Sequence, residues 1–152
     1  MKKLRLWISE LIRPKPVLRI MLDAGAIMPE RAHENDAGLD LFSRETCYVF
    51  AGDQHEFDTG VHVEIPKGYV GLITSKSKPM RLGVTSRGTI DSGYTGSIRA
   101  VLYNNSKRSY LVERGKKITQ LVILPILTPK IQVVKKLDST ERGDGGFGST
   151  GE

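Results

Sequence analysis

A single cysteine in 152 residues, Cys47, rules out an internal disulfide and carries no signature of an oxidising compartment, so a reducing cytoplasm is the expected setting. No apolar run approaches the roughly 20 residues of a membrane-spanning helix. His33, His55 and His62 lack the spacing of a zinc site, and no Gly-x-Ser-x-Gly elbow is present. A Walker loop is missing as well, because Ser149 and Thr150 follow Gly148 with no lysine. Gly143, Gly145 and Gly148 do spell G-x-G-x-x-G, but a dinucleotide fingerprint must open a helix and meet an acid about 20 residues later. Four residues follow Gly148, so that reading is set aside.

What remains has the composition of one globular domain, 39% hydrophobic and 26% charged. A chain of this length buries roughly 70% of its unfolded surface and needs no metal staple. A net charge of +6 and a pI near 9.5 suggest a polyanion partner. The charge is concentrated, however. Lys2, Lys3, Arg5, Arg13, Lys15 and Arg19 against Glu10 give +5 in the first 19 residues, leaving a nearly neutral body. In that segment Leu4, Trp7, Ile8, Leu11 and Ile12 form one helical stripe before Pro14 and Pro16. Residues 1–16 therefore read as a basic amphipathic extension. It would pack on the body or on a neighbouring subunit, with docking to a membrane surface or partner protein as the alternative.

From Val17 onward the pattern changes to short strand-like runs divided by Gly, Pro, Asp or Asn, as in an all-β sandwich or jelly roll. Strands are expected at 17–22, 39–42, 46–51, 61–65, 69–74, 97–103, 109–112, 118–126 and 131–134. Val61, Val63 and Ile65 alternate with His62 and Glu64, which points one face inward. This sets a domain at 17–137 and a flexible glycine-rich tail at 138–152, whose one large apolar residue is Phe147.

Three stretches carry chemistry. Ser75-Lys76-Ser77-Lys78 is basic and hydroxylic. Between Lys76 and Arg99 stand Lys76, Lys78, Arg81, Arg87 and Arg99 with one acid, Asp91, inside the hairpin-like Gly88-Thr89-Ile90-Asp91-Ser92-Gly93-Tyr94-Thr95-Gly96. A lone carboxylate amid cations suits a general base beside a bound anion, while Asp before Ser-Gly is equally good turn chemistry. In the tail, Arg142 suits phosphate oxygens, and Gly148, Ser149 and Thr150 offer N–H and hydroxyl donors. The Phe147 ring has nothing local to pack on and could stack on a base. Together these describe a strap that orders over one nucleotide, with no stable nucleic-acid binding expected.

These segments, with Asp36-Ala37-Gly38-Leu39-Asp40-Leu41 and Arg114-Gly115-Lys116-Lys117-Ile118-Thr119-Gln120-Leu121, resemble the five ordered motifs of the trimeric dUTPase family. The resemblance covers residues 17–152. It implies a distorted jelly-roll barrel, three active sites at the subunit contacts of a homotrimer, and Mg²⁺-assisted hydrolysis of dUTP to dUMP and pyrophosphate. Asp91 would activate the water that attacks the α-phosphorus. Ile90 and Tyr94 would pack on the deoxyribose, and backbone around Thr85 and Thr89 would read the uracil edge. Lys76, Ser77, Lys78 and Gln120 would contact the phosphate chain, Arg142 the γ-phosphate, and Phe147 the uracil face. Gly148, Ser149 and Thr150 would close the strap. Asp40 would hold a water of the Mg²⁺ shell or support the site from behind; a strand-end carboxylate capping nearby backbone is the plainer alternative.

Some positions depart from the family pattern. Lys76 stands where Arg is usual and loses its planar two-point grip, Lys78 replaces a small residue, Thr85 stands near a usual Asn, and Ser97 near a usual acid. Two other readings stay open, a dCTP deaminase relative and a dUTPase-like regulatory binding protein.

Overall fold

The structure, a computed structural model, describes residues 16–145. The chain runs through β1 (Arg19–Leu22), β2 (Gly38–Phe42), β3 (Cys47–Val49), β4 (Gln54–Glu64), β5 (Tyr69–Ser75), α1 (Ser77–Arg81), β6 (Val84–Ile90), β7 (Ser97–Asn104), β8 (Tyr110–Val112) and β9 (Lys117–Pro125). Every pairing is antiparallel, in a seven-stranded sheet ordered β1-β4-β7-β6-β5-β9-β2 and a two-stranded β3-β8 ribbon. This is the expected all-β, jelly-roll-like class. No helix among the described residues is long and apolar enough to cross a membrane.

The alternation seen in the sequence sets the core. Val61, Val63 and Ile65 are buried while His62 and Glu64 face outward, and Leu39, Leu41, Ile73, Ile98 and Leu121 complete that cluster. A second cluster gathers Val49, Phe57, Val84, Ala100, Leu102, Val112 and Ile118. Each fully buried aliphatic of this size contributes about 1.5–3 kcal/mol relative to exposure, enough to fix strand register.

Two features were not legible as strands. β4 begins at Gln54 and carries an irregularity between Asp58 and His62, at Gly60 (φ +66°), where an added Cβ would lie 2.6 Å from the Arg44 guanidinium and 2.9 Å from Ala26. β6 occupies residues read as loop and hairpin. Its first half pairs with β7 through Val84, Thr85 and Ser86, and its second half pairs with β5 from Arg87 to Ile90. The two neighbours thus hold opposite halves of one strand. From Arg87 onward β6 and β7 diverge, leaving an unpaired backbone edge facing β7.

The expected strand at 131–134 does not form. A last backbone bond, from the Ile126 N–H to the Gly68 carbonyl at 2.8 Å, ends the pairing, and Leu127, Ile131 and Val133 beyond it are more than 90% exposed. Alternating apolar residues make a strand only where a partner edge is offered, and among the described residues of one chain none reaches 131–134. The edge strands β1 and β2 do not pair with each other either. A cleft of about 660 Å³, lined by Leu18, Ile20, Leu39, Tyr69 and Ile123 among others, lies between them.

Candidate functional site

β9 lies between β2 and β5, and its register places Gln120 opposite both Asp40 and Thr74. Three stretches far apart in sequence thereby meet in one cleft of about 300 Å³, lined by Asp36, Gly38, Asp40, Lys76 and Gln120. Gly38 is required by this packing. The Gln120 side chain lies across it, with Cδ 2.9 Å from where a Cβ would stand, and the Gln120 amide donates to the Ser75 carbonyl at 3.4 Å.

Asp40 is almost wholly buried, and both its oxygens are engaged. Lys76 Nζ donates to Oδ1, and Lys117 Nζ stands 3.1 Å from Oδ2 and 2.8 Å from Glu30 Oε1. Hydrogen bonds to Glu30 and then to Asp40 hold the Lys117 ammonium above its ordinary pKa. Asp40 also joins Glu30 through backbone, its N–H donating to the Glu30 carbonyl at 2.7 Å. Its carboxylate is thus the shared counter-ion of two ammonium groups. Lys117 and Glu30 were missed in the sequence; their separation from Asp40 leaves no local signal.

Among the described residues no three His, Cys, Asp or Glu side chains group together as a metal site. That donor set fits Mg²⁺ only as an ion carried largely by phosphate oxygens and water.

Thr89 and Ile90 lie on the diverging half of β6, while Thr85 lies on the paired half, opposite Tyr103. Asp91 and Tyr94 follow on an exposed turn closed by backbone, with the Tyr94 N–H donating to the Asp91 carbonyl at 3.0 Å. Among the described residues the Asp91 carboxylate makes no hydrogen bond or ion pair. The turn is closed by backbone, without that carboxylate. The Tyr94 ring folds back on Gly96, its hydroxyl donating to the Ser97 carbonyl at 2.9 Å.

The cations from Lys76 to Arg99 do not form one positive patch. Lys76 is held by Asp40, Arg99 pairs with Glu56 and Asp58, and Arg87 lies over the Tyr103 ring. Ser77 and Lys78 stand exposed on α1 and line a second cleft with Arg81. Arg142 is exposed, its Nε donating to the Gly145 carbonyl. Phe147, Gly148, Ser149, Thr150 and the amphipathic extension up to Lys15 lie outside the described residues.

The two halves of the site sit at opposite ends of β5. Ile90 pairs with Gly71, so Asp91 extends toward Tyr69, whereas Lys76 follows Ser75 at the other end. At about 3.3 Å per residue the separation along the strand is roughly 20 Å, more than these side chains can bridge. One chain does not bring Asp91 to the cleft of Asp40, Lys76 and Gln120.

The family model for dUTPase matches residues 24–151. Deoxyuridine 5'-triphosphate nucleotidohydrolase of Clostridium acetobutylicum is 44% identical over 134 residues, spanning 86% of this chain and 92% of that one. Its counterpart in Paramecium bursaria Chlorella virus 1 is 40% identical over 128 residues, spanning 83% and 91%. Staphylococcus bacteriophage 80alpha dUTPase, solved with dUPNHPP, superposes with a TM-score of 0.82 at 35% identity, over 90% of this chain and 99% of that one. A mutant dUTPase from phage phi11 of S. aureus, described for its coordination of a structural Mg(II) ion, gives 0.73 at 33% identity, over 80% and 98%.

Proposed function

The chain belongs to the dUTPase family, and from that premise we propose how its residues carry the reaction. The enzyme hydrolyses dUTP to dUMP and pyrophosphate with Mg²⁺, which limits uracil in DNA and supplies dUMP for thymidylate. Asp91 takes the proton of a water as its oxygen attacks the α-phosphorus; the bond to the bridging oxygen breaks and pyrophosphate leaves. The observation that carries this assignment is the Asp91 carboxylate, exposed and without a partner among the described residues, on a turn that needs only its backbone.

Ile90 and Tyr94 pack on the deoxyribose, and the diverging edge of β6 around Thr89, with Thr85 at its base, offers backbone groups to the uracil. A pocket built to pair with uracil leaves polar groups unmatched by cytosine and has no room for the thymine methyl. Lys76, Ser77, Lys78 and Gln120 hold the phosphate chain, with Lys76 shared between Asp40 and the ligand. Asp40 would hold Mg²⁺ through water, and the ion would neutralise charge on the phosphates. Arg142 reaches the γ-phosphate, Phe147 stacks on the uracil, and Gly148, Ser149 and Thr150 complete the strap.

The family's assembly is a trimer. Sites between subunits are supported here by the separation of Asp91 from the Lys76 cleft and by the exposed apolar arm at 126–137, which suits the open cleft of a neighbour. A reducing cytoplasm agrees with the single free Cys47.

The test is pyrophosphate release from dUTP, dCTP, dTTP and UTP with Mg²⁺, for the wild type and Asp91→Asn. Strong preference for dUTP and a loss of at least about 100-fold in kcat on substitution are expected, the lower range for a general base. Full activity in Asp91→Asn would overturn the assignment.

A further inference from the structure

His62 lies on the outer face of β4, opposite Ser97, with its side chain about one-fifth exposed. Both ring nitrogens are engaged: Nδ1 is 2.8 Å from the Thr95 carbonyl and Nε2 is 3.1 Å from Asp23 Oδ1. A carbonyl and a carboxylate only accept, and a neutral imidazole has one N–H. Both contacts are hydrogen bonds at once only in the imidazolium. Thr95 belongs to the turn that carries Asp91 and Tyr94. The turn's other bonds, Tyr94 N–H to Asp91 and Tyr94 hydroxyl to Ser97, fix its own shape, whereas His62 ties it to β4 and, through Asp23, to the end of β1.

We propose that His62 is a positioning residue for the hydrolysis: as an imidazolium bridging Asp23 and the Thr95 carbonyl, it clamps the 91–96 turn in register with the site. This rests on the reading of Asp91 and Tyr94 as site residues. The charged groups around the ring balance one another. Asp23 Oδ2 lies 3.6 Å from Arg44, Asp58 faces Arg99 and Arg44, and Arg19 of β1 pairs with Glu64 of β4. The hydrogen bond to Thr95 raises the imidazole above its ordinary pKa; burial opposes this, and Asp23 and Asp58 add to it. The clamp is therefore complete at acidic to neutral pH and is lost as pH rises through the folded pKa. Deprotonation turns a lone pair toward one of the two acceptors, and the turn is released at that end.

The test compares kcat/KM for dUTP in the wild type and His62→Gln from pH 6 to 9. Ionisations of substrate and Mg²⁺ are common to both enzymes and cancel in the ratio. The ratio should start at about tenfold, the order of one charge-assisted hydrogen bond, and fall toward unity at alkaline pH. Its midpoint should match the His62 titration read by imidazole ¹⁵N NMR, with both nitrogens protonated at pH 6.5. Asp23→Asn, which keeps the histidine, should move both midpoints to lower pH. A ratio constant across the range, or a His62 midpoint at or below the ordinary histidine value, overturns the proposal. The Asp91→Asn turnover is measured separately, so a misassigned base and a failed clamp give different results.

Discussion

Gly96 offers the sharpest perturbation of the proposed deoxyribose side of the site. A Cβ there would stand 2.5 Å from Tyr94 Oη and 2.6 Å from Cζ. Carbon contacts settle near 3.5–4.0 Å, so the ring must retreat by about 1 Å. Gly96 is not among the described glycines with positive φ, so its backbone accepts alanine and the strain falls on Tyr94 alone. A retreat of that size takes the hydroxyl beyond hydrogen-bond range of the Ser97 carbonyl, now at 2.9 Å. Tyr94 is 43% exposed, so the stability cost should stay near the lower end for one hydrogen bond, about 0.5–1 kcal/mol. Catalysis should suffer more, because a misplacement of about 1 Å can cost up to 10²-fold. For Gly96→Ala we expect kcat/KM for dUTP to fall by about 10- to 100-fold while the thermal midpoint, compared at equal protomer concentration, drops by only about 1–4 °C. In a Tyr94→Ala background the same substitution should have little further effect. Wild-type kcat/KM in Gly96→Ala, or additive losses in the double variant, would refute the reasoning.

Two further outcomes follow from the geometry. Gly38→Ala should push the Gln120 side chain out of its seat and raise KM for dUTP about 3- to 10-fold, the order of one neutral hydrogen bond, with little change in unfolding midpoint because a flexible side-chain end yields. The Asp58 carboxylate accepts from Ser97 and from the Gly60 N–H and lies near Arg99 and Arg44, which together hold its pKa below the ordinary value, the Ser97 bond most of all. Its stabilisation is present above about pH 4, the unfolded carboxylate value, and is lost as pH falls through the lower folded value. In urea unfolding, Asp58→Asn should be less stable than the wild type at neutral pH, and the gap should close below about pH 4; a gap independent of pH would contradict this.

The sequence was most legible where apolar residues alternate cleanly, as at Val61, Val63 and Ile65. It was least legible where polar residues take core positions. Thr59 is fully buried, its hydroxyl donating to the Ile98 carbonyl, and Phe57 is the one large apolar residue before it, so the first half of β4 looked like loop. In β6, Ser86 is buried and Gly88 has no side chain, which hides the period of a strand that changes partners midway. Asp91, Tyr94 and Gln120 could be singled out from motifs. The clamp on Asp40 could not, because Glu30, Lys76 and Lys117 meet it only through β-sheet register. The positive stretch from Lys76 to Arg99 misled for the same reason: the carboxylates that neutralise its ends come from β2 and β4.

The central claim is that Asp91 of one chain serves the Asp40, Lys76 and Gln120 cleft of another. The direct measurement is dUTP hydrolysis, at dUTP well below KM, by chains bearing Asp91→Asn and chains bearing Gln120→Ala, unfolded together and refolded as mixed trimers. Each parent alone should be nearly inactive or weakened, and mixing should create sites with both residues intact, so that activity rises well above the average of the parents. Activity equal to that average at every mixing ratio would contradict the account.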